Sequence, residues 1–171
     1  DVQRRILDAF ARGWLVTDHA PIVAVNAHAG DPHYVPSERT PTLVHKGDLV
    51  LIDLWAKLDA PEAVYSDITW VGFAGEQPAP KMEEIFRITA DARDRGLAMI
   101  AQAHREGRTL KGFEVDRVVR DYIASKGYGD RFLHRTGHNI GAASVHGDGA
   151  NLDDHETHDT RELVVGLGFS I

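Results

Sequence analysis

Val2, Ile6, Leu7 and Phe10 recur at the spacing of one helical face, so the chain opens with an amphipathic helix over about residues 2 to 13. A β-branched run predicts a strand around Ile22 to Asn26, followed by a long loop rich in proline, histidine and aspartate. Two further strands form a hairpin, one around Leu49 to Trp55 and one around Tyr65 to Trp70, turning through Asp59-Ala60-Pro61-Glu62. The second half opens with a helix from about Lys81 to Arg105, launched after Pro78 and Pro80 and stopped by Gly107. In the next helix, about Phe113 to Lys126, Val115, Val118, Val119, Tyr122 and Ile123 fall on one face, and Gly127 stands at the position of a C-terminal cap. After it come a Gly/His-rich loop (134 to 149), an acidic polar loop (151 to 162) and a last strand in "LVVGLGFSI". With no low-complexity segment and no obvious linker, residues 1–171 read as a single domain of two similar halves.

Composition narrows the function classes. With 171 residues, 43% of them apolar, the chain is long enough to bury a substantial core. Its formal charge is −7 and its basic residues are spread out, which argues against a nucleic-acid or anionic-membrane surface. It has no cysteine, so disulfides and thiolate zinc sites are excluded, and a reducing compartment such as the cytoplasm is compatible. No apolar stretch approaches the ~18 residues of a spanning helix. The chain starts at Asp1 without a methionine, already inside a helical pattern, so a piece of a longer protein is expected.

Two carboxylates stand where apolar residues are expected. Asp53 interrupts the run Leu49 to Trp55, and Asp67 sits between Tyr65 and Ile68-Thr69-Trp70. A charge carried into a core is unfavourable by several kcal/mol unless something positive meets it. An antiparallel hairpin can bring the two carboxylates face to face, and a divalent cation between them would relieve their repulsion. The plainer alternative is that one aspartate is an edge or turn residue pointing to water. A second cluster, "HRTGHNIGAASVH", holds His134, His138 and His146. Gly137 argues against a helix carrying His134 and His138 together, so a loop delivering one imidazole is expected. Mixed carboxylate and imidazole donors suit Zn, Mn, Co or Fe better than Ca or Mg, although such loops also occur as plain solvated surface.

Taken in order, "GDLVLIDLWAKLDAPEAVYSDITWVGFAGE", the two helices and "HRTGHNIGAASVH" resemble the pita-bread metallopeptidases over nearly the whole chain. That family contains methionine aminopeptidase, Xaa-Pro aminopeptidase, prolidase and creatinase. The resemblance implies an α+β pita-bread fold, two α-β-β pseudo-repeats whose antiparallel strands form a curved sheet with helices outside. It also implies two divalent metal ions, Mn, Co or Zn, held by two aspartates, one histidine and two glutamates. By motif position the metal ligands are Asp53, Asp67 and His138. The segment "HAGDPHYVPSE" resembles the family's His-Tyr-x-Pro stretch and puts His33 at the substrate-binding histidine, while His146 matches the catalytic histidine that contacts the scissile group. His134, His155 and His158 read as surface or supporting residues, and Asp153, Asp154 and Glu156 as a solvated acidic loop.

A peptide substrate follows from the resemblance, and "YSDIT" with "VGFAGE" points to the Xaa-Pro branch. The expected protein is a cytoplasmic Xaa-Pro peptidase that binds neither nucleic acid nor membrane, and a homodimer is compatible with this reading. The rivals are a methionine aminopeptidase, a creatinase-like C–N hydrolase, and a pita-bread module that binds peptides without chemistry. Departures from the family pattern are a longer interval between Asp53 and Asp67, Trp55 where glycine is common, and Trp70 where the Xaa-Pro enzymes often carry arginine. Both glutamate ligands are expected after Ile171, the first immediately after it, so the chain as given is expected to be C-terminally incomplete and inactive.

Overall fold

The computed structural model describes residues 2–32, 34–37 and 41–171. Asp1–Ala79 with Ala142–Val145 form one compact unit, and Pro80–Gly141 with His146–Ile171 form a second.

The first unit begins with α1 (Val2–Arg12), as its apolar spacing predicts. Strands β1 (Leu15–Val16), β2 (Ile22–Val25), β3 (Leu49–Leu58) and β4 (Ser66–Phe73) build an antiparallel sheet in which β3 pairs with each of the others. Both β2 and β4 pair with the stretch Val50 to Asp53, so they flank β3 on opposite edges. β2 stops where Asn26 turns into the left-handed region, φ 51°, a conformation that asparagine tolerates better than most residues. The Asn26 side chain then pins the start of β3, donating to Asp48 Oδ1 at 2.7 Å and accepting the Leu49 N–H at 2.9 Å. The predicted β3–β4 hairpin forms with its turn over the predicted residues, and the register runs from Leu49 opposite Phe73 to Ala56 opposite Ser66. Pro21, Ala24, Val25, Ala56 and Tyr65 are buried in this unit.

The second unit is helical first and stranded after. α2 (Pro80–Glu106) and α3 (Gly112–Ser125) match the two predicted helices, and both glycines read as stops adopt positive φ, 63° at Gly107 and 84° at Gly127. The buried face of α3 supplies Val115, Val119 and Ile123. Val115 packs with Ala103, Leu110 and Leu152, and the other two pack with Ala92. Two short strands, β5 (His138–Ile140) and β6 (Gly168–Ser170), pair antiparallel.

The acidic loop differs from its expectation. Asp153 is fully buried and accepts the backbone N–H groups of His155, Glu156 and Thr157 at 2.9 to 3.0 Å. Asp159, 3% exposed, accepts from the Asn151 and Arg161 backbone amides and from the Arg161 guanidinium. A loop with few internal backbone bonds has orphan amide donors, and these carboxylates satisfy them. The acids are therefore the scaffold of the loop, and Glu156 alone of the three named in the sequence is exposed.

Candidate active site

Register decides what the hairpin carboxylates can do. Asp53 lies directly opposite Thr69, and Trp55 directly opposite Asp67. Directly opposed residues, and residues two apart on one strand, share a face. Asp53, Trp55, Asp67 and Thr69 therefore share one face of the sheet, with the two carboxylates as diagonal neighbours rather than directly face to face. Both aspartates are half-buried, less enclosed than their apolar flanks suggest. Thr69 Oγ1 donates to Asp53 Oδ1 at 2.8 Å, which orients that carboxylate.

His138 is set differently. It opens β5 rather than lying in a loop, and it is 9% exposed. Its Nδ1 lies 3.0 Å from the carbonyl oxygen of Asn139. A carbonyl only accepts, so Nδ1 carries the proton and the imidazole's lone pair is on Nε2, the arrangement typical of metal-ligating histidines. Ser170 faces His138 across the β5–β6 pair and leaves a small side chain beside the ring. The His146 ring is 4.3 Å from the His138 ring, edge-on at 69°, and His146 is exposed. Asp53 and Asp67 belong to the first unit, His138 and His146 to the second. Among the described residues no group of three or more His, Cys, Asp or Glu is placed to hold a metal ion. The donor chemistry nonetheless fits a divalent cation, with two carboxylates on one strand face and an imidazole in the ligating tautomer. His33 lies outside the described residues.

Residues that the sequence did not single out hold the histidine segment in place. The Asn139 side chain donates to Gly168 O at 2.9 Å and accepts the Gly149 N–H at 2.8 Å, while its carbonyl accepts the Gly147 N–H at 2.8 Å. A Cβ at Gly147 would stand 2.2 Å from Asn139 Oδ1, so only glycine fits there. Deeper in, Asp116 is fully buried on α3 and accepts from Arg120 at 2.9 Å, from the Thr136 hydroxyl at 2.6 Å and from the Thr136 and Asp154 amides. Arg120 in turn donates to the carbonyls of Phe132 and His134, each at 2.9 Å. The pair of buried Asp116 and half-buried Arg120 fastens the segment leading into β5 to α3. His134 lies 3.5 Å from Glu156, and the exposed His158 lies 2.5 Å from Asp154. An open cleft of about 540 Å³ near the end of β2 includes His28, His45 and Asp48, but the Asp48 oxygens are taken up by Asn26 and the His45 amide.

Comparison with known proteins agrees with the resemblance. The family model described as Metallopeptidase family M24 matches residues 1–171. The uncharacterized peptidase YqhT of Bacillus subtilis is 40% identical over 120 residues, 70% of this chain and 30% of that protein. The Xaa-Pro dipeptidase of Pyrococcus furiosus is 36% identical over 120 residues, 70% of this chain and 31% of that protein. The matched part of the chain spans about a third of the length of these curated relatives. Among solved structures, the dipeptidase PepE of Mycobacterium ulcerans matches with a TM-score of 0.78 at 25% identity, over 98% of this chain and 41% of that one. The chain has the α+β pita-bread fold expected from its sequence.

Proposed function

We propose, since this chain belongs to metallopeptidase family M24, that the full-length protein is a dinuclear metal-dependent peptidase that cleaves Xaa-Pro bonds at peptide N-termini. The observation that carries the reading is the β3–β4 register, which puts Asp53 and Asp67 on one face of the sheet. Two half-buried carboxylates at that spacing repel each other, and a cation is the resident that relieves the repulsion. Relatives named as Xaa-Pro dipeptidases at 36% and 35% identity support the substrate class.

In this reading Asp53, Asp67 and His138 are the chain's metal ligands, with Mn, Co or Zn as candidates. Divalent cations, when bound, supply Lewis-acid polarisation of the peptide carbonyl and a lowered pKa for the attacking water. Thr69 holds the Asp53 carboxylate in its ligating orientation through the 2.8 Å hydrogen bond. The Asn139 carbonyl does the same for His138 by keeping the proton on Nδ1. His146, exposed beside His138, donates an N–H to the oxyanion or amide nitrogen of the scissile group. His33 orients the substrate.

Elemental analysis of the purified protein and four variants tests this assignment. Asp53→Asn, Asp67→Asn and His138→Ala are each expected to lose most of the metal, while His146→Ala retains it. Full metal content in Asp67→Asn would remove Asp67 from the ligand set.

A further inference from the structure

On the same sheet face as Asp53 and Asp67 stands a side chain that the proposed mechanism leaves unused. Trp55 is the direct cross-strand neighbour of Asp67. Its indole Nε1 donates to Asp18 Oδ1 at 2.6 Å, which fixes the ring. Asp18 lies in the connection that leads from β1 into β2, on the edge of β3 opposite β4. The indole therefore leans away from Asp67, across the face, toward Asp18. Burial alone would push the Asp18 carboxyl upward, but the hydrogen bonds from Trp55 and His19 outweigh it and hold the group below its ordinary value. Asp18 is thus an anion at neutral pH, and its side chain is still 39% exposed. Lys57, two residues along the same face, is engaged by the Ala142 carbonyl at 2.7 Å and lies over the Tyr65 ring, so its ammonium is not on Asp18.

We propose that Trp55 and Asp18 form a specificity subsite for a lysine or arginine side chain on the residue immediately N-terminal to the scissile bond. The inference rests on the peptidase reading above. Asp18 and Asp67 are separated by two strand spacings, on the order of 10 Å. A substrate's α-ammonium is two bonds from the scissile carbonyl carbon and cannot span that interval, whereas an extended lysine or arginine side chain does. The aliphatic stem would lie along the indole and the charged head would meet both the ring face and the Asp18 carboxylate. A glycine at position 55 would provide neither the ring nor the ordered carboxylate.

The test is the ratio of kcat/KM for Lys-Pro over norleucine-Pro, two substrates of nearly equal length that differ in charge, measured on the metal-loaded full-length protein. The ratio is internal to each sample and insensitive to the fraction folded. A preference for Lys-Pro of about tenfold is expected in the natural protein, with a ratio near unity in Asp18→Asn and in Trp55→Ala. A ratio near unity in the natural protein, or an unchanged preference in Asp18→Asn, overturns the subsite. Should no Xaa-Pro peptide be cleaved, the peptidase reading fails by itself and binding decides the subsite. Lysinamide is then expected to change the tryptophan fluorescence of the natural protein more than norleucinamide does, and the difference should vanish in Asp18→Asn. Equal responses to the two amides overturn it.

Discussion

The β3–β4 hairpin and the segment from Gly112 to Arg161 both carry aspartates, and they use them in opposite ways. On the hairpin, Asp53 and Asp67 are half-buried on one face of the sheet, and the Thr69 hydroxyl orients Asp53. In the second unit, Asp116, Asp153 and Asp159 are at most 3% exposed, and each accepts three or more hydrogen bonds from amides, a hydroxyl or a guanidinium. A carboxylate surrounded by such donors is a structural post, because its lone pairs are committed inside the fold. One on an accessible strand face beside a second carboxylate suits an incoming cation. Burial therefore separates these two sets of aspartates better than local hydrophobicity does.

The largest expected effect tests this contrast through stability. Asp116→Ala leaves the Arg120 guanidinium without its carboxylate and the Thr136 and Asp154 amides without an acceptor, and is expected to lower unfolding free energy by about 3–5 kcal/mol in urea titrations. Asp53→Asn should stay within about 0.5 kcal/mol in the metal-free protein. Equal losses at both positions would erase the distinction. Next, His146→Ala in the full-length protein is expected to reduce kcat on an Xaa-Pro peptide by roughly 10²-fold, the scale of one transition-state hydrogen bond, with KM moving less.

A smaller effect concerns acid. Burial raises the Asp159 carboxyl, but Arg161 and the Asn151 amide outweigh it and hold the group below its ordinary value of 3.8. A depressed folded value means the stabilisation is fully present above 3.8 and is lost as pH falls through the lower folded value. Unfolding followed by circular dichroism from pH 5 downward should show a loss of stability in the natural protein that is smaller in Asp159→Asn, which is destabilised throughout and keeps the acid-sensitive Asp18, Asp48 and Asp154. The smallest expected change is at Thr69. Thr69→Val removes one hydrogen bond worth about 1 kcal/mol and should weaken metal binding roughly fivefold by calorimetry, leaving the fold intact.

Much of this architecture is legible in the amino-acid order. α2 and α3 declare themselves through apolar spacing and terminal glycines, and the hairpin through β-branched runs around a proline-containing turn. Burial is less legible. Asp53 looks enclosed because its chain neighbours are apolar, yet alternate residues on a strand face opposite sides, so neighbours in sequence say little about one side chain's surroundings. Asp153 looks solvated because its neighbours are polar, yet it collects the amides of its own turn. The three-residue strand that opens with His138 is too short to show a period, and Asp116 with Arg120 reads as an ordinary surface pair one helical turn apart. The roles of Trp55 and Asp18 depend on pairing across 37 residues, which no local pattern reveals.

In the proposed function, carboxylates on the β3–β4 face hold the metal of a full-length Xaa-Pro peptidase. The most direct test is hydrolysis of an Xaa-Pro peptide by the full-length protein, stripped by chelation and then reloaded with Mn, Co or Zn, beside Asp67→Asn. The expected result is loss of activity on stripping, recovery on reloading, and no recovery in Asp67→Asn. Cleavage that survives the chelator, or that Asp67→Asn recovers in full, would contradict it.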